Sequence, residues 1–186
     1  MIAKTIYQDF SYQSAVIKVS TEDNLKNAFS GESQASIKYR IFSEVAKEKG
    51  LKNLARVFEA FSFSEFVHAK NHLKALKEKE IEDPLKNIDE AIRGETHEIE
   101  TMYPEFYDTA IRENRKRAAT SFRWALEAEK EHAEVYRKLR VLVESGRDKA
   151  FDDRIYVCPN CGYIFTGTPP EICPLCSISK EMFREF

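Results

Sequence analysis

The sequence EKEHA at residues 129–133 repeats the pattern of EFVHA at residues 65–69, which lies 64 residues earlier. Both stretches contain Glu-x-x-His, and in both the acid and the histidine lie on the apolar stripe of a segment with helical periodicity. A Gly-Glu pair precedes each stretch, in SGES at 30–33 and in RGET at 93–96. The chain therefore contains a repeated unit of two helices, with one glutamate on the first helix and Glu-x-x-His on the second.

Helical periodicity extends over most of the chain and predicts a mostly α fold, with four long helices packed as a bundle. Thr21 is the predicted capping hydroxyl of the first helix, and the second begins at about residue 52. Asp83-Pro84 predicts the start of the third, with proline at the first helical position. Pro104 is expected to kink or interrupt this helix. The fourth covers about 115–144. The predicted helix ends are two glycines, Gly50 and Gly146.

The composition changes near residue 150. All four cysteines and four of the six prolines lie in residues 154–186, after the polar stretch SGRDKAFDD. We therefore predict four parts in chain order: an unassigned extension at 1–20, a four-helix bundle at 21–146, a linker at 147–153 and a small metal-binding domain at 154–186.

The overall composition narrows the function class. Of the 186 residues, 42% are hydrophobic and 32% are charged, and the formal charge is −2, as in many soluble helical proteins. A nucleic-acid-binding protein would carry a basic excess, and the sequence contains no membrane-spanning run or signal peptide. We therefore expect a cytoplasmic protein that binds neither nucleic acid nor membrane. Because cytoplasmic thiols stay reduced, the clustered cysteines are expected to bind metal.

The predicted bundle core contains several carboxylates. Five glutamates are expected to face it: Glu32, Glu65, Glu95, Glu98 and Glu129. Burying one ionised carboxylate without a partner costs several kcal/mol, whereas two divalent cations would nearly cancel the five negative charges. Because positions i and i+3 share a helix face, His68 and His132 can reach the same metals. Ferritin-like di-iron bundles have this arrangement of ligands: one Glu from each of two helices and Glu-x-x-His from each of the other two.

The Glu-x-x-His motifs and the remaining histidines also allow other interpretations. A single Glu-x-x-His in a charged helix is usually a solvated pair, but two copies on apolar stripes favour metal ligands. His72 follows His68 by one turn, a spacing that also binds metal. The second copy has Tyr136 at that position, so His72 is interpreted as a histidine at the edge of the core. His97 lies off the acidic stripe of its helix and is interpreted as peripheral.

The cysteines form the pattern Cys158-x2-Cys161-x11-Cys173-x2-Cys176. Two Cys-x-x-Cys motifs in one short module predict a tetrahedral site with four thiolate ligands. Spacing alone does not separate iron from zinc, so both remain open. The module has equal numbers of acids and bases, which argues against a basic nucleic-acid-binding ribbon. Its predicted aromatic core is Tyr156, Tyr163, Phe165 and Phe183.

Together, these two sets of motifs resemble the rubrerythrin family over about residues 22–186. The resemblance implies a ferritin-like four-helix bundle with two non-haem irons, followed by a rubredoxin-like domain with one iron on four cysteines. It implies a peroxidase that reduces hydrogen peroxide to water in oxidative stress defence. The electrons would come from NAD(P)H through redox proteins such as rubredoxin or its reductase. A homodimer is also implied, with the rubredoxin-like domain of one chain near the di-iron site of the other.

The resemblance also implies a role for each bundle residue. Glu65 and Glu129 would bridge the two irons, and Glu32 and Glu95 would be terminal ligands. His132 would bind one iron, and either Glu98 or His68 would bind the other. Glu98 would serve in the oxidised state and His68 in the reduced state. The asymmetry of the repeat fits this exchange, because the counterpart of Glu98 in the first repeat is Ala35.

Three further positions matter for the comparison with the family. Tyr39 and Tyr103 match tyrosines beside the family's site, where they can hydrogen-bond the ligands. Ser177 follows the last cysteine, where a glycine is common. Glycine adopts a positive φ freely, so we predict slight backbone strain at Ser177. The extension at 1–20 precedes the usual start of the family pattern.

Two alternative functions remain open from the sequence. A ferritin-type ferroxidase or iron-handling protein would share the bundle but would not need a one-iron relay. A non-enzymatic binding module would use the bundle and a zinc site only as a scaffold. Rapid oxidation and mineralisation of iron by oxygen would favour the ferroxidase, whereas metal content and visible colour distinguish the zinc-containing module from a peroxidase.

Overall fold

A computed structural model describes residues 20–186, so the predicted extension lies outside the described residues except for Ser20. The described chain is mostly helical and ends in a small strand region, as expected. It divides into two compact units, one up to Lys79 and the other Glu80–Phe186. The domain boundaries expected from composition stay a prediction. No helix among the described residues is both long enough and apolar enough to cross a membrane.

The first unit is a helical hairpin of α1 (Thr21–Glu48) and α2 (Lys52–Lys77). The helix cap is Ser20 and not Thr21: the Ser20 hydroxyl accepts from the Asp23 N–H at 3.0 Å, and the Asp23 carboxylate accepts from the Ser20 N–H. This reciprocal capping box satisfies two otherwise unpaired donors. Gly50 follows the end of α1 with a φ of +74°, as expected for a helix-terminating glycine.

Small residues form the seam between α1 and α2. The Ser36 hydroxyl donates to the Ser62 carbonyl at 2.9 Å, and the Ser62 hydroxyl donates to the Ser36 carbonyl at 2.8 Å. The buried Ser43 hydroxyl donates to the Ala55 carbonyl at 2.9 Å. Small side chains let two helix axes approach closely. Hydrogen bonds between serine hydroxyls and the facing backbone therefore join the two helices along this seam.

The exposed face of the hairpin differs from the sequence expectation. Phe61, Phe63 and Phe66 are each more than half exposed in the described chain, although helical periodicity places Phe61 one turn before Glu65 on the stripe that is predicted to be buried. A hairpin of two helices buries the seam between them, so within this unit an apolar stripe wider than the seam is exposed.

The second unit begins with a long interrupted helix: α3 (Pro84–His97), a π-helical turn (Glu98–Met102) and α4 (Tyr103–Arg112). Asp83 caps α3 by accepting from the Leu85 N–H at 3.0 Å, as predicted. The interruption expected near Pro104 takes the form of the π turn, in which the Tyr103 N–H donates to the Glu98 carbonyl five residues earlier.

The π turn accounts for the unequal offsets of the repeat, which are 63 residues from Glu32 to Glu95 and 64 from Glu65 to Glu129. The two connections, 49–51 and 113–115, have the same length, and each Glu-x-x-His lies equally far into its helix. The extra residue of the second repeat therefore lies between Glu95 and the end of α4. A π turn accommodates such an insertion without ending the helix.

The helix α5 (Lys116–Glu144) packs against α3 and α4, and its end agrees with the stop predicted at Gly146. The small module that follows is an antiparallel sheet in the order β2-β1-β3, with β1 at Ile155–Val157, β2 at Ile164–Thr166 and β3 at Arg184–Glu185. Phe165 stacks on Phe183 with ring centroids 5.0 Å apart, and Tyr163 lies 5.0 Å from Phe165.

Within the second unit, the module is attached to α5. The Tyr163 hydroxyl donates to the Glu131 carboxylate at 2.9 Å. Further along the helix, Lys138 forms an ion pair with Asp153, and its ammonium lies 5.0 Å from the Phe151 ring centroid. The helix that carries Glu129 and His132 therefore also holds the four-cysteine module.

Candidate metal centres

The first candidate cluster lies in the hairpin and consists of Glu32, Glu65 and His68, each with a ligand atom within 4.8 Å of the others. The i, i+3 spacing on α2 brings His68 Nδ1 to 2.8 Å from the Glu65 carboxylate. Glu65 is 21% exposed and His68 is 51% exposed. The acid is thus largely covered in the single chain, whereas the imidazole is accessible.

The second candidate cluster consists of Glu95 on α3 with Glu129 and His132 on α5, within the same 4.8 Å limit. His132 Nδ1 lies 2.6 Å from the Glu129 carboxylate and 3.6 Å from that of Glu95. Glu129 is 14% exposed and Glu95 is 17% exposed. Two carboxylates and an imidazole in this geometry are a donor set suited to a divalent transition metal.

The second cluster has coupled titration behaviour. Burial raises the pKa of Glu95 to about 7, and the hydrogen bond and negative charge of Glu129 add to this effect. Burial also opposes ionisation of Glu129, but hydrogen bonds with His132 and Glu95 outweigh it and hold the pKa of Glu129 below its usual value. The hydrogen bond to Glu129 raises the pKa of His132. Protons and metal ions therefore compete for these donor atoms.

Metal uptake by the second cluster is expected to weaken as the pH falls through about 7. Glu95 must lose its proton to bind a metal, and its pKa is raised to about 7. Below that pH, each proton released on binding weakens the apparent affinity about tenfold per pH unit. Cobalt(II) titration of metal-free protein at several pH values measures this effect.

The matched control for this titration is Glu95→Gln, which keeps the side-chain shape but removes the titrating proton. Its residual cobalt affinity should vary less between pH 6 and 8 than that of the unaltered protein. Equal affinity of the unaltered protein across this range would contradict the assignment of Glu95 as a ligand.

Glu98 and Tyr103 lie close to the second cluster, at the two ends of the π turn. Burial raises the pKa of Glu98, and the negative charge of Glu129 adds to this. Burial also raises the pKa of Tyr103, with further contributions from the charges of Glu98, Glu129 and Glu95. Tyr103 therefore keeps its proton at neutral pH and can donate a hydrogen bond toward these carboxylates.

An aromatic trio accompanies each half of the repeat. Tyr39, Phe42 and Phe58 have ring centroids 5.5–6.3 Å apart in the hairpin. The corresponding trio in the second unit, 64 residues later, is Tyr103, Phe106 and Phe122, with centroids 5.6–6.4 Å apart. The repeat thus includes the packing around each tyrosine as well as the carboxylate and histidine donors.

The other two histidines, His72 and His97, lie outside both carboxylate clusters. His97 is exposed and His72 is half-buried. Among the residues that the structure describes, neither belongs to a metal-binding group, and Glu98 also lies outside the three-residue cluster. The ligand role of each of the seven bundle residues therefore stays a prediction.

The third candidate centre is the four-cysteine site. Cys158 and Cys176 Sγ atoms lie 3.4 Å apart, and those of Cys161 and Cys173 lie 3.6 Å apart. Four thiolates at about 2.3 Å from a tetrahedral metal are about 3.8 Å from one another. The four sulfurs are therefore arranged for one metal ion, and this geometry fits iron or zinc.

The two Cys-x-x-Cys knuckles have matching backbone hydrogen bonds. The residue after each knuckle, Gly162 or Ser177, donates its N–H to the first cysteine's carbonyl at 2.9 Å. Gly162 has a φ of +80° and Ser177 a φ of +65°. The left-handed conformation anticipated at Ser177 is confirmed, and it costs a residue with a Cβ about 1–2 kcal/mol.

Replacing Ser177 with glycine is expected to stabilise the module by about 1 kcal/mol, because glycine adopts this conformation without steric strain. The measurement is the guanidinium concentration at which the metal-loaded module loses its colour. Gly162→Ser is the reciprocal control. A Cβ added there would meet no atom of the described residues within 4 Å, so the strain of the positive φ alone should lower that concentration. If neither variant changes the guanidinium concentration at which the colour is lost, the backbone strain assigned to Ser177 is contradicted.

Two contacts around the module lack a local sequence signal. One is the Tyr163–Glu131 hydrogen bond, whose partners are 32 residues apart. The other is the hydrogen bond from the Asn160 side chain to Cys176. Burial opposes ionisation of Cys176, but the Asn160 bond and the Ile178 N–H outweigh it and lower the pKa of the thiol to about 7. Only the tertiary structure brings these residues together.

Comparison with known proteins places this chain in a family. The rubrerythrin family profile matches residues 23–140, and the profile of the rubrerythrin rubredoxin-like domain matches residues 156–184. Rubrerythrin-2 of Clostridium acetobutylicum is 35% identical and covers 92% of this chain and 100% of its own length. Nigerythrin of Nitratidesulfovibrio vulgaris is 34% identical, over 90% of this chain and 87% of its own.

Solved structures agree with the sequence comparisons. A structure of nigerythrin in a mixed-valent state covers 94% of this chain and 90% of its own, with 32% identity and a TM-score of 0.51. A fully reduced, all-ferrous nigerythrin matches with the same TM-score. Both metal-binding motifs of the chain lie within the residues that the two family profiles match, so the resemblance to the rubrerythrin family is confirmed. The chain therefore belongs to the rubrerythrin family of iron-binding oxidoreductases.

Proposed function

We propose that this chain is a peroxidase that reduces hydrogen peroxide to water in oxidative stress defence. Each peroxide takes up two electrons and two protons and yields two water molecules. The electrons originate from NAD(P)H and reach the four-cysteine site through a redox protein such as rubredoxin or its reductase. The observation that carries this proposal is the presence of both donor sets, carboxylate–histidine and four-cysteine, in one chain.

The bundle residues hold the metal and control the surroundings of the reaction. The proposed ligands are Glu32, Glu65, His68, Glu95, Glu98, Glu129 and His132. When bound, the two irons supply electrons and positive charge for cleavage of the peroxide O–O bond. Tyr103 keeps its phenolic proton beside Glu98 and Glu129, so it can orient a carboxylate by donating a hydrogen bond.

The four-cysteine module has the composition of a one-electron relay. Its sulfurs surround one metal ion, and Cys158 and Cys173 are fully buried, which protects the thiolates from solvent. The Tyr163–Glu131 hydrogen bond connects the module to the helix that carries Glu129 and His132. A zinc ion in the same thiolates could not change oxidation state, so this role requires iron.

We also propose that the protein is a homodimer. Support comes from the apolar surface of the hairpin, where Ile37, Phe63 and Phe66 line one groove and are each more than half exposed. Contiguous exposed apolar surface of this kind usually marks an interface. Light scattering after size-exclusion chromatography should give twice the mass of the 21.6 kDa chain, and a monomer mass at micromolar concentration would contradict the dimer.

The deciding experiment mixes fully reduced protein with stoichiometric hydrogen peroxide and follows the absorbance of the four-cysteine iron. Rapid reoxidation of this iron by peroxide is expected. Failure to reoxidise it would overturn the peroxidase proposal. Rapid oxidation of added iron by oxygen with mineral formation would instead favour a ferroxidase, and colourless protein that holds only zinc would favour a non-enzymatic module.

A further inference from the structure

A basic surface patch lies beside the four-cysteine module in the second unit. It comprises five exposed side chains around the connection from α4 to α5: Arg112, Arg115, Lys116, Arg117 and Arg123. Within the described part of the chain, none of the five forms an ion pair with a carboxylate. Many lysines and arginines elsewhere do so, for example Lys47 with Glu59 and Arg140 with Asp89. The patch therefore keeps its positive charge, although the whole chain has a formal charge of −2.

Helix stability does not account for the two cations that begin α5. Lys116 and Arg117 are the first two residues of α5, and its first turn contains no acid. The positive end of a helix dipole disfavours each nearby cation by about 0.3–1 kcal/mol. Arg115, at the cap position, makes no side-chain capping bond. The sequence thus places positive charge where the local fold would favour negative charge.

The patch adjoins the first cysteine knuckle. A cavity of about 450 Å³ is lined by Lys116, Arg117, Thr120, Trp124 and Asn160. Asn160 lies between Cys158 and Cys161, and its side chain also hydrogen-bonds Cys176. A molecule that contacts Lys116 and Arg117 across this cavity also reaches Asn160. It therefore comes close to Cys161, the next residue, and to Cys176, the hydrogen-bond partner of Asn160.

The attachment of the module keeps this arrangement in place. The Tyr163–Glu131 hydrogen bond and the Lys138–Asp153 ion pair fasten the module further along α5. Glu131 and Lys138 belong to the same continuous helix as Lys116 and Arg117. The Asn160 knuckle is therefore held beside the start of α5. The knuckle and the cations consequently form one continuous exposed surface.

We infer that this patch is the docking surface for a small acidic one-electron redox protein that reduces the four-cysteine site. The inference rests on the proposed function, in which electrons enter through that site. One electron leaves the docked donor, which is oxidised, and reduces the four-cysteine iron from ferric to ferrous, with no transfer of atoms or protons. A positive patch around the entry point raises the encounter rate with an acidic donor, and salt screens this attraction.

The test compares two charge-reversal variants with the same net charge. Lys116→Glu/Arg117→Glu reverses the patch, and its glutamates suit the first turn of α5. Lys38→Glu/Lys52→Glu reverses two exposed lysines of the hairpin that form no ion pair among the described residues. The probe is flavodoxin, a small acidic protein whose flavin absorbance is distinct from that of the four-cysteine iron. Circular dichroism checks that both variants remain folded.

Two measurements are made with the holoprotein. Calorimetric titration with oxidised flavodoxin gives the affinity without any electron transfer, and stopped-flow mixing with flavodoxin hydroquinone gives the rate of iron reduction. At low ionic strength the patch variant should lose about 10-fold or more in both quantities relative to the hairpin variant. The difference should vanish at high salt.

Equal losses in the two variants, or no loss in either, would overturn the docking surface. Binding of a DNA duplex by the patch, without binding of flavodoxin, would also overturn it. Peroxide oxidation of the pre-reduced protein should be the same in both variants and in the unaltered protein. If peroxide oxidises the iron in none of them, the proposed peroxidase function fails, while the flavodoxin measurements still decide the docking surface.

Discussion

Replacement of Glu129 with alanine is expected to slow peroxide reduction by about 100-fold or more and to lower the iron content of the chain. Even residues that only support metal ligands typically change affinity or activity 10–100-fold, and Glu129 is at the centre of its cluster. His132 Nδ1 lies 2.6 Å from its carboxylate, and a hydrogen bond links it to Glu95. Without Glu129, the other two donors lose the group that both contact.

The measurements for this variant are iron per chain and the stopped-flow rate of oxidation by peroxide. Alanine is a strong helix former, so α5 should remain folded, and circular dichroism tests this directly. The matched control is Glu134→Ala on the same helix, where the acid is 72% exposed and, within residues 20–186, pairs only with Arg137. A Glu129→Ala protein with full iron content and an unchanged rate would exclude Glu129 as a ligand.

Replacement of Cys173 with serine is expected to unfold residues 154–186 while leaving the helices intact. This region has 33 residues, and chains shorter than about 40 residues usually need metals or disulfides to fold. Structural metals contribute roughly 10–16 kcal/mol in comparable small peptides. Cys173 is 1% exposed, and serine supplies no thiolate at this buried position, so the metal would lose one of its four ligands.

Loss of the module can be followed separately from loss of the bundle. Amide exchange should become fast at Cys158 and Ser177, whose N–H groups donate to backbone carbonyls of the knuckles. The helical circular dichroism signal should change little. Continuous peroxide turnover with a protein donor should fall to background. Thr168→Ala, at an exposed position of the same module, is the control, and slow amide exchange in Cys173→Ser would contradict the expected unfolding.

Local sequence chemistry accounts for much of the observed secondary structure. Asp83-Pro84 and Gly146 mark helix boundaries through capping and a positive φ, which depend on a few neighbouring residues. Even the error at Thr21 has a local cause, because Ser20 with Asp23 is a capping box that can be read from the sequence. The unequal repeat offsets already recorded an insertion, but only the backbone located it at the π turn.

Burial was the least predictable property of the candidate sites. A helical periodicity identified Phe61 and Glu65 as members of one stripe, yet the ring is more than half exposed and the acid is 21% exposed. Periodicity states which side chains share a face, whereas the packed neighbours decide how much of that face is covered. The seam of the hairpin uses Ser36, Ser43 and Ser62 instead.

The sequence by itself determined the types and spacing of the metal donors, because Glu-x-x-His and Cys-x-x-Cys place their ligands within one turn or one knuckle. Tertiary structure decided everything that depends on distant residues. It brings Glu95 to Glu129, which raises the pKa of Glu95 to about 7, and it fastens Tyr163 to Glu131. Electrostatic coupling and burial depend on distances of a few ångströms between separate elements, and no local pattern specifies those distances.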